Sequence, residues 1–240
     1  MLKKLMMTML VAATAASGSV VMADAGDVGV SLAVDSKYMW RGFDVYDDHG
    51  IYSGNLNVDL GSGFAFDLWG GGPIGSGNEE GKEVDYTFSY AGTCGEGETG
   101  QVNYGVFYTY YDFIQLNSLA DVMEVGITIG LPNVFQIAGS PVSFDYLLAH
   151  GWSDEGVFDS GQYQDFKLSS TVGEIDVALN LGHWARFAGL DNDASHFGVT
   201  LGTSLELSGY ELSPYIAFQH SMDDLVNDDD EVWGGISLEF

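Results

Sequence analysis

Hydrophobic and polar residues alternate along much of the chain, as they do in β-strands whose two faces meet different surroundings. Between Glu83 and Tyr90, for example, every even position is Val, Tyr or Phe and every odd position is Glu, Asp, Thr or Ser. The alternation returns about every 15 to 20 residues, the spacing of a strand plus a turn, and it predicts about twelve strands.

The length and chemistry of these segments favour a membrane barrel. They run for about nine to twelve residues, which suits a tilted membrane-crossing strand better than the shorter strands of soluble sheets. Their apolar faces carry no Asp, Glu, Lys or Arg. We therefore predict an all-β fold, a transmembrane antiparallel up-and-down β-barrel of about 12 strands. A soluble sandwich or a lipocalin-like barrel is the alternative.

The connections between strands alternate in length. Those at 61–63, 173–174 and 208–209 are tight, whereas others, such as 43–50 and 221–231, are long and acidic. Short turns at one end and long loops at the other are typical of outer-membrane barrels. Two connections on the short side, 91–100 and 132–141, are predicted to be longer than the rest.

The first 23 residues have the pattern of a secretory signal peptide: two lysines, an apolar stretch and a small-residue cleavage site ending at Ala23. We expect a signal peptide at 1–23 and an outer-membrane β-barrel at 24–240. This predicts Sec-type export and an integral location in the bacterial outer membrane, and a retained membrane anchor is the alternative. The last strand alternates up to Phe240, which resembles the C-terminal signature of outer-membrane proteins and implies recognition by the barrel-assembly machinery.

Charge narrows the choice of partners. The chain has 35 Asp and Glu against seven Lys and Arg, and loss of Lys3 and Lys4 with the signal takes the net charge from −28 to −30. Such a field repels nucleic acid and anionic headgroups and attracts cations. A salt-adapted proteome would give the same acidity. Cys94 is the single cysteine, so neither a disulfide within the chain nor a zinc pattern is predicted, and no cofactor is expected.

Two stretches, "DSKYMWRGFDV" and "GIYSGNLNVDLGSG", resemble the N-terminal pattern of the TorF-type porin family. The resemblance covers about the first 40 residues of the predicted mature chain, and its matching positions are Ser36, Tyr38, Arg41, Gly42, Tyr52 and Gly54. It implies an outer-membrane barrel that conducts small solutes.

Strand parity also assigns faces within the first of these stretches. Tyr38 and Trp40 are predicted to face lipid in an aromatic girdle, while Lys37 and Arg41 share the polar face with Asp35. A site that joins the cations to the aromatic rings is therefore the least favoured interpretation here.

The polar face of the predicted barrel carries mostly carboxylates. The residues predicted to line the pore are Asp35, Lys37, Arg41, Asp59, Asp67, Asp85, Glu124, Asp145, Asp165, Lys167 and Asp176. Rings of carboxylates in a pore favour cations, and Lys37 and Arg41 would form a positive patch near the outer mouth. An interior plugged by side chains is the alternative, because twelve strands lie between filled barrels and open porins.

Three further motifs are weak. The glycines at 70, 72 and 75 mimic a dinucleotide fingerprint, but Glu79 and Glu80 follow instead of a helix, so a loop is predicted. The run Asp191-x-Asp193-x-Ser195 lacks the later ligands of a calcium loop. A possible cation site in the last loop comprises Asp223, Asp224, Asp228, Asp229 and Asp230, with a solvated acidic loop as the favoured alternative.

All five histidines lie in long loops or at the strand ends beside them: His49, His150, His183, His196 and His220. Parity puts His150, His183 and His220 on the lipid face, where such rings commonly sit at headgroup level. An outer-leaflet lipid hydrolase using His220 beside Ser221, or His150 near Ser153, is the less favoured reading.

These patterns together predict a passive channel. The expected function is a porin-like outer-membrane channel for small solutes, narrow and cation-preferring, without a catalytic step. The first alternative is a structural or adhesion barrel with a closed lumen and acidic extracellular loops.

Overall fold

The fold was analysed in a computed structural model. It describes residues 26–75, 81–95, 100–114, 121–153, 160–185, 194–223 and 227–240. The predicted signal peptide lies outside these described residues.

The described residues form fifteen strand segments. They are β1 (Val28–Asp35), β2 (Met39–Trp40), β3 (Phe43–Asp44), β4 (Ile51–Gly61), β5 (Phe64–Pro73), β6 (Lys82–Cys94), β7 (Val102–Ile114), β8 (Val122–Ile137), β9 (Ser140–Ser153), β10 (Ser160–Val172), β11 (Ile175–Ala185), β12 (Ala194–Gly202), β13 (Leu205–Leu207), β14 (Tyr210–Ser221) and β15 (Glu231–Glu239). No helix among the described residues is long and apolar enough to cross a membrane.

The strands close into one antiparallel barrel. Each wall strand pairs with its neighbours along the chain, and β1 pairs with both β4 and β15, which joins the two ends of the sheet. β12 and β13 both pair with β14, so they are two halves of one wall strand interrupted at 203–204. The short β2–β3 hairpin pairs only with itself. The wall thus has twelve strands, as predicted, and closure leaves no unpaired strand edge to face lipid.

Two-residue turns close one end of the barrel. Ser62-Gly63, Ala138-Gly139 and Ser208-Gly209 all have two positive φ angles, between 52° and 91°. This is the type I′ geometry that matches the twist of paired strands. We call this the turn end, and the opposite end, where β1 leads towards β4, the loop end.

The predicted long connection at 132–141 is wrong, because β8 continues to Ile137 and β9 starts at Ser140. Pro132 is accommodated by an irregularity in register between Leu131 and Phe135 rather than by a turn. At 91–100, β6 likewise extends to Cys94, and residues 96–99 lie outside the described part of the chain.

The two faces of the wall differ as the alternation predicts. Apolar side chains at outward positions are exposed along the strands, among them Val30, Leu32, Phe88, Val106, Ile127, Leu181 and Ile236. Inward positions carry polar, charged or small residues, together with large buried side chains such as Phe107, Tyr163 and Trp184. An exposed apolar outer surface of this extent suits hydrocarbon and not water.

The first wall strand is shorter than predicted, because β1 ends at Asp35. Residues 36–50, which we call the inserted segment, turn inward at the loop end. Within it, Arg41 (φ 50°) and Gly42 (φ 101°) form the two-residue turn of the β2–β3 hairpin. Tyr38 is 6% exposed, so the prediction that it faces lipid is wrong.

Candidate functional site

The inserted segment crosses the lumen and bonds to strands on several sides of the barrel. The Tyr38 hydroxyl donates to a Glu83 carboxylate oxygen at 2.8 Å on β6. The Trp184 indole nitrogen on β11 donates to the Arg41 carbonyl at 3.0 Å. The Gln219 amide on β14 donates to the carbonyl of Gly42 at 2.7 Å. These three bonds fix the hairpin across the width of the lumen.

Arg41, in the turn of the β2–β3 hairpin, forms a buried ion pair with the barrel wall. Its guanidinium forms a bidentate ion pair with Glu124 on β8: Nη2 donates to Oε1 at 2.7 Å, and Nη1 donates to Oε2. Arg41 is 5% and Glu124 3% exposed. A buried pair of this kind adds little net stability, but removal of one partner leaves an uncompensated charge and costs about 3–5 kcal/mol.

Three aromatic rings surround the same guanidinium. Its Cζ atom lies 4.9 Å from the ring centroid of Trp40, 4.7 Å from that of Tyr163 and 5.8 Å from that of Trp184. Cation–π contacts of desolvated Arg contribute up to about 2 kcal/mol. The interpretation that separated the cations of this stretch from the aromatic rings is therefore wrong, and so is the outward orientation predicted for Trp40, which packs against Trp184 at 5.5 Å.

A second aromatic cluster holds the return of the segment to the wall. Tyr38, Tyr46 and Ile51 are buried together, with Trp69 packed against them. The Tyr46 hydroxyl donates to the Gly81 carbonyl at 3.1 Å. Apolar burial and a satisfied hydroxyl thus fix the second half of the inserted segment.

Lys37 lies at the other edge of the segment. Its ammonium bonds Asp48 and Glu231 and lies 3.8 Å from an Asp44 carboxylate oxygen. Ligand atoms of these three acidic residues lie within 4.8 Å of one another, a grouping that could hold a metal ion. The ammonium of Lys37 contacts all three carboxylates and supplies the positive charge there.

The charge states within the inserted segment follow from these contacts. Burial alone would lower the pKa of Arg41, but the Glu124 carboxylate outweighs it and the pKa is raised. Burial raises the pKa of the Tyr38 phenol, with the Glu83 charge adding to the effect, so the hydroxyl remains a donor. The hydrogen bond from Lys37 lowers the pKa of Asp48, whereas burial raises that of Asp44.

The predicted lining residues lie in two zones. At the loop-end half, Asp35 accepts from the Tyr215 hydroxyl at 2.7 Å, and Asp165 accepts from Asn180 at 3.3 Å. Glu124 holds Arg41 there. Lys37 and Arg41 lie in the inserted segment and not on the first wall strand, which corrects their predicted place, but both still line a cavity inside the barrel. Nearer the turn end lie Asp59, Asp67, Asp145, Lys167 and Asp176, and Asp85 lies beside Glu83 on β6.

Several of the turn-end carboxylates have local partners. Asp67 accepts from the Asn57 amide at 2.6 Å, Asp59 from the backbone N–H of Gly61 at 2.6 Å, and Asp176 from the Thr171 hydroxyl at 2.6 Å. Cross-strand register places Asp145 directly opposite Lys167. The lumen is therefore acidic throughout, with Lys37, Arg41 and Lys167 as the cations of its described part.

The last loop contributes exposed carboxylates near Lys37. Asp228, Asp229 and Asp230 line an open vestibule at the loop end together with Asp48 and Glu231. Asp223 precedes the gap in the described chain, and Asp224 lies outside the described residues, as do Asp191 and Asp193. A cation site in this loop stays a prediction.

The histidine candidates do not form the proposed hydrolase dyads. His220 and Ser221 are consecutive in β14 and so point to opposite faces. The His220 ring instead pairs with Asp230 at 2.6 Å. His150 and Ser153 are three residues apart in β9 and also face opposite sides. The structure thus gives no support to nucleophilic catalysis at these positions.

Sequence reasoning missed three residues that anchor the insertion: Trp184, Gln219 and Glu231. Their alternation places them inward correctly, but nothing local shows that they meet a segment more than 140 residues earlier. One usable signal was the Arg41-Gly42 dipeptide, because a glycine in the second turn position suits a tight hairpin.

Comparison with known proteins shows the fold. No family model and no curated protein sequence matches the chain. An outer membrane channel from Pseudomonas putida F1 is similar with a TM-score of 0.53 and 14% identity, covering 91% of this chain and 96% of that chain. The NanC porin is similar with a TM-score of 0.53 and 12% identity, covering 89% and 99%. The chain therefore has the fold of an outer-membrane barrel of about their size, and its resemblance to TorF-type porins in particular stays a prediction.

Proposed function

We propose that this protein is an outer-membrane channel for the passive diffusion of small solutes, narrow and cation-preferring. The observation that carries the proposal is the closed twelve-stranded wall, apolar outside and acidic inside. A barrel of this kind satisfies every wall-strand edge in lipid while enclosing polar groups.

The cation preference follows from the balance of charge within the lumen. Asp35, Asp59, Asp67, Asp145 and Asp176 face few cations, and Arg41 is already neutralised by Glu124. Carboxylates that outnumber the cations in this way raise the local concentration of cations and exclude anions.

The width of the path is set by the inserted segment. The β2–β3 hairpin and its aromatic contacts occupy the loop-end half of the lumen, so only a narrow path along the wall is compatible with conduction. We expect a small conductance and exclusion of bulky solutes.

Location and assembly extend the same proposal. We propose export by the predicted signal at 1–23 and insertion in the bacterial outer membrane, with Phe240 at the end of the last strand recognised by the barrel-assembly machinery. Phe240 packs against Tyr210 of the adjacent strand with ring centroids 5.3 Å apart.

Reconstitution in planar bilayers tests the channel. Discrete conductance steps with a reversal potential on the cation side under a salt gradient are expected. Absence of steps refutes conduction, and a reversal potential on the anion side refutes the carboxylate mechanism.

A structural or adhesion barrel with a closed lumen is the second candidate, and the inserted segment favours it. Arg41, bonded on the far wall and stacked among three rings, would serve equally to seal the barrel. In that case the acidic loops would carry the function, and the protein would give no conductance steps in planar bilayers.

A further inference from the structure

Two spaces in the loop-end half of the barrel share one lining side chain. The inner cavity, of about 80 Å³, is lined by wall residues such as Asp35, Asp165 and Tyr215 and by Tyr38, Met39, Arg41 and Gly42 of the inserted segment. This volume exceeds the roughly 10–15 Å³ needed for one water, so it can hold several waters. The vestibule, of about 560 Å³, opens at the loop end and is lined by Asp48, Asp228–Asp230 and Glu231. Among the described residues, Lys37 is the one side chain that lines both.

The position of Lys37 marks a route along one side of the wall. The inner cavity takes its lining from β1, β10, β11, β12, β14 and β15, and the vestibule lies above the β15 end of the same side. The opposite side, at β5 to β8, is filled by the Tyr38 and Arg41 contacts. A solute on this side passes Lys37 first and then reaches the inner cavity, where the Arg41 guanidinium is already paired with Glu124.

The two cations of the inserted segment differ in how firmly they are held. Arg41 is 5% exposed, and its rigid, planar guanidinium is fixed by two bonds and three rings. The Lys37 side chain is 17% exposed, and its partner Asp48 is 76% exposed on a loop. A lysine is a flexible stem with a point charge, so it can leave the exposed Asp48 at little cost while the buried Glu231 keeps it at the junction.

We propose that Lys37 is the residue that sets the conductance and the ion selectivity of this protein. This inference rests on the proposed channel function. Its ammonium lies where the vestibule and the inner cavity share a lining residue, and it is the first positive charge that a cation entering from the vestibule meets. Asp44, Asp48 and Glu231 hold it there and give a passing cation alternative partners. Selective conduction needs charges at the constriction that bind ions weakly enough for them to leave.

The test compares single-channel currents of Lys37→Met with wild type in planar bilayers under a potassium chloride gradient. Methionine keeps most of the length of the side chain and removes the charge. Repulsion by one unit charge at about 8 Å in a water-like medium corresponds to a roughly twofold change in local cation concentration, so the cation current should rise by roughly twofold or more. The reversal potential should move further to the cation side.

Lys82→Met is the matched control. Lys82 is exposed at the loop-end start of β6 and lines neither space, so the same loss of charge there should leave conductance and reversal potential unchanged. An equal effect of both variants, or no effect of Lys37→Met, overturns the proposal while leaving the channel intact. Silent bilayers for all proteins overturn both the channel and this inference.

A second variant guards against misfolding, because Lys37→Met leaves three carboxylates without their cation. The double variant Lys37→Met/Glu231→Gln removes one charge of each sign and keeps the shape of the junction. Because the net charge at the junction is then that of wild type, the reversal potential should stay close to the wild-type value, and a correctly folded double variant whose reversal potential moves to the cation side as far as that of Lys37→Met overturns the proposal.

Discussion

The inserted segment should be released when the Arg41–Glu124 pair is broken, and Glu124→Gln is the mildest change that does so. The glutamine keeps the size of the side chain but leaves the guanidinium without its countercharge in a site where Arg41 is 5% exposed. Removal of one partner from a buried ion pair costs about 3–5 kcal/mol. We expect the lower end, about 3 kcal/mol, because the rings of Trp40, Tyr163 and Trp184 continue to bind the guanidinium.

The free energy lost on breaking the pair sets the fraction of molecules in which the inserted segment is released. Since each 1.4 kcal/mol is a factor of ten, a loss of about 3 kcal/mol raises the released fraction of the inserted segment by about 10²-fold. The released state can be measured through Met39, which is 4% exposed inside the β2–β3 hairpin. Met39→Cys in a Cys94→Ser background places the thiol there, since Cys94 itself is exposed.

The assay is the rate at which a small thiol reagent modifies the cysteine at position 39 in folded protein. Glu124→Gln should raise this rate by about 10²-fold when reclosing is faster than modification. Asp67→Asn is the control, because it removes a lumen carboxylate that accepts hydrogen bonds from Asn57 and Asn55 on β4 and lies nearer the turn end than the hairpin does. An unchanged rate in Glu124→Gln, or an equal rise in Asp67→Asn, would refute the role assigned to the pair.

Two further predictions concern packing and pH. Gly182→Ala should lower the thermal unfolding midpoint of the barrel by several degrees, since the new Cβ would lie 2.0 Å from the Nε2 atom of His196 and overpacking costs about 1–3 kcal/mol. Gly29→Ala is the control and should leave the midpoint unchanged, because its Cβ would meet nothing nearer than 4.0 Å. Equal shifts in the two variants would contradict this explanation. The hydrogen bond from Lys37 lowers the pKa of Asp48 below its ordinary value of 3.8. The ionised Asp48 therefore stabilises the inserted segment above pH 3.8, and this stabilisation is lost as the pH falls through the lowered pKa. The modification rate at position 39, divided by the rate for unfolded protein at the same pH to remove the loss of thiolate, should therefore rise in acid. Asp48→Asn should flatten this rise, and an identical pH profile in the variant would contradict it.

The wall could be predicted from the sequence because its signal is local. Alternation over a dozen residues fixes which side chains share a face, and closure follows from an even number of such strands with no edge tolerated in lipid. Val84 to Tyr90 show this well, since every even position there points outward and every odd position inward, as in the structure.

The insertion could not be predicted in the same way. Alternation continues past Asp35 through Tyr38 and Trp40, so a periodic reading extends the strand. The Arg41-Gly42 dipeptide is a weak sequence signal for the turn, which the positive φ angles of both residues establish. The partner of Arg41 is Glu124, 83 residues away, and nothing local in the sequence selects it from the other inward carboxylates. Long-range pairing is decided by the closed wall, which brings β8 opposite the hairpin.

The acidic lumen could be predicted from the sequence, but the role proposed for Lys37 could not. Inward carboxylates such as Asp35 and Asp165 follow from parity alone. The role assigned to Lys37 depends on a segment leaving the wall and on Glu231 returning from the end of the chain to meet it.

The central claim is that the acidic interior of this barrel carries cations past the inserted segment. The most direct measurement is the current through single wild-type barrels in a planar bilayer that separates two potassium chloride concentrations. We predict discrete, small conductance steps and a reversal potential on the cation side. A silent bilayer, or a reversal potential on the anion side, would contradict the account.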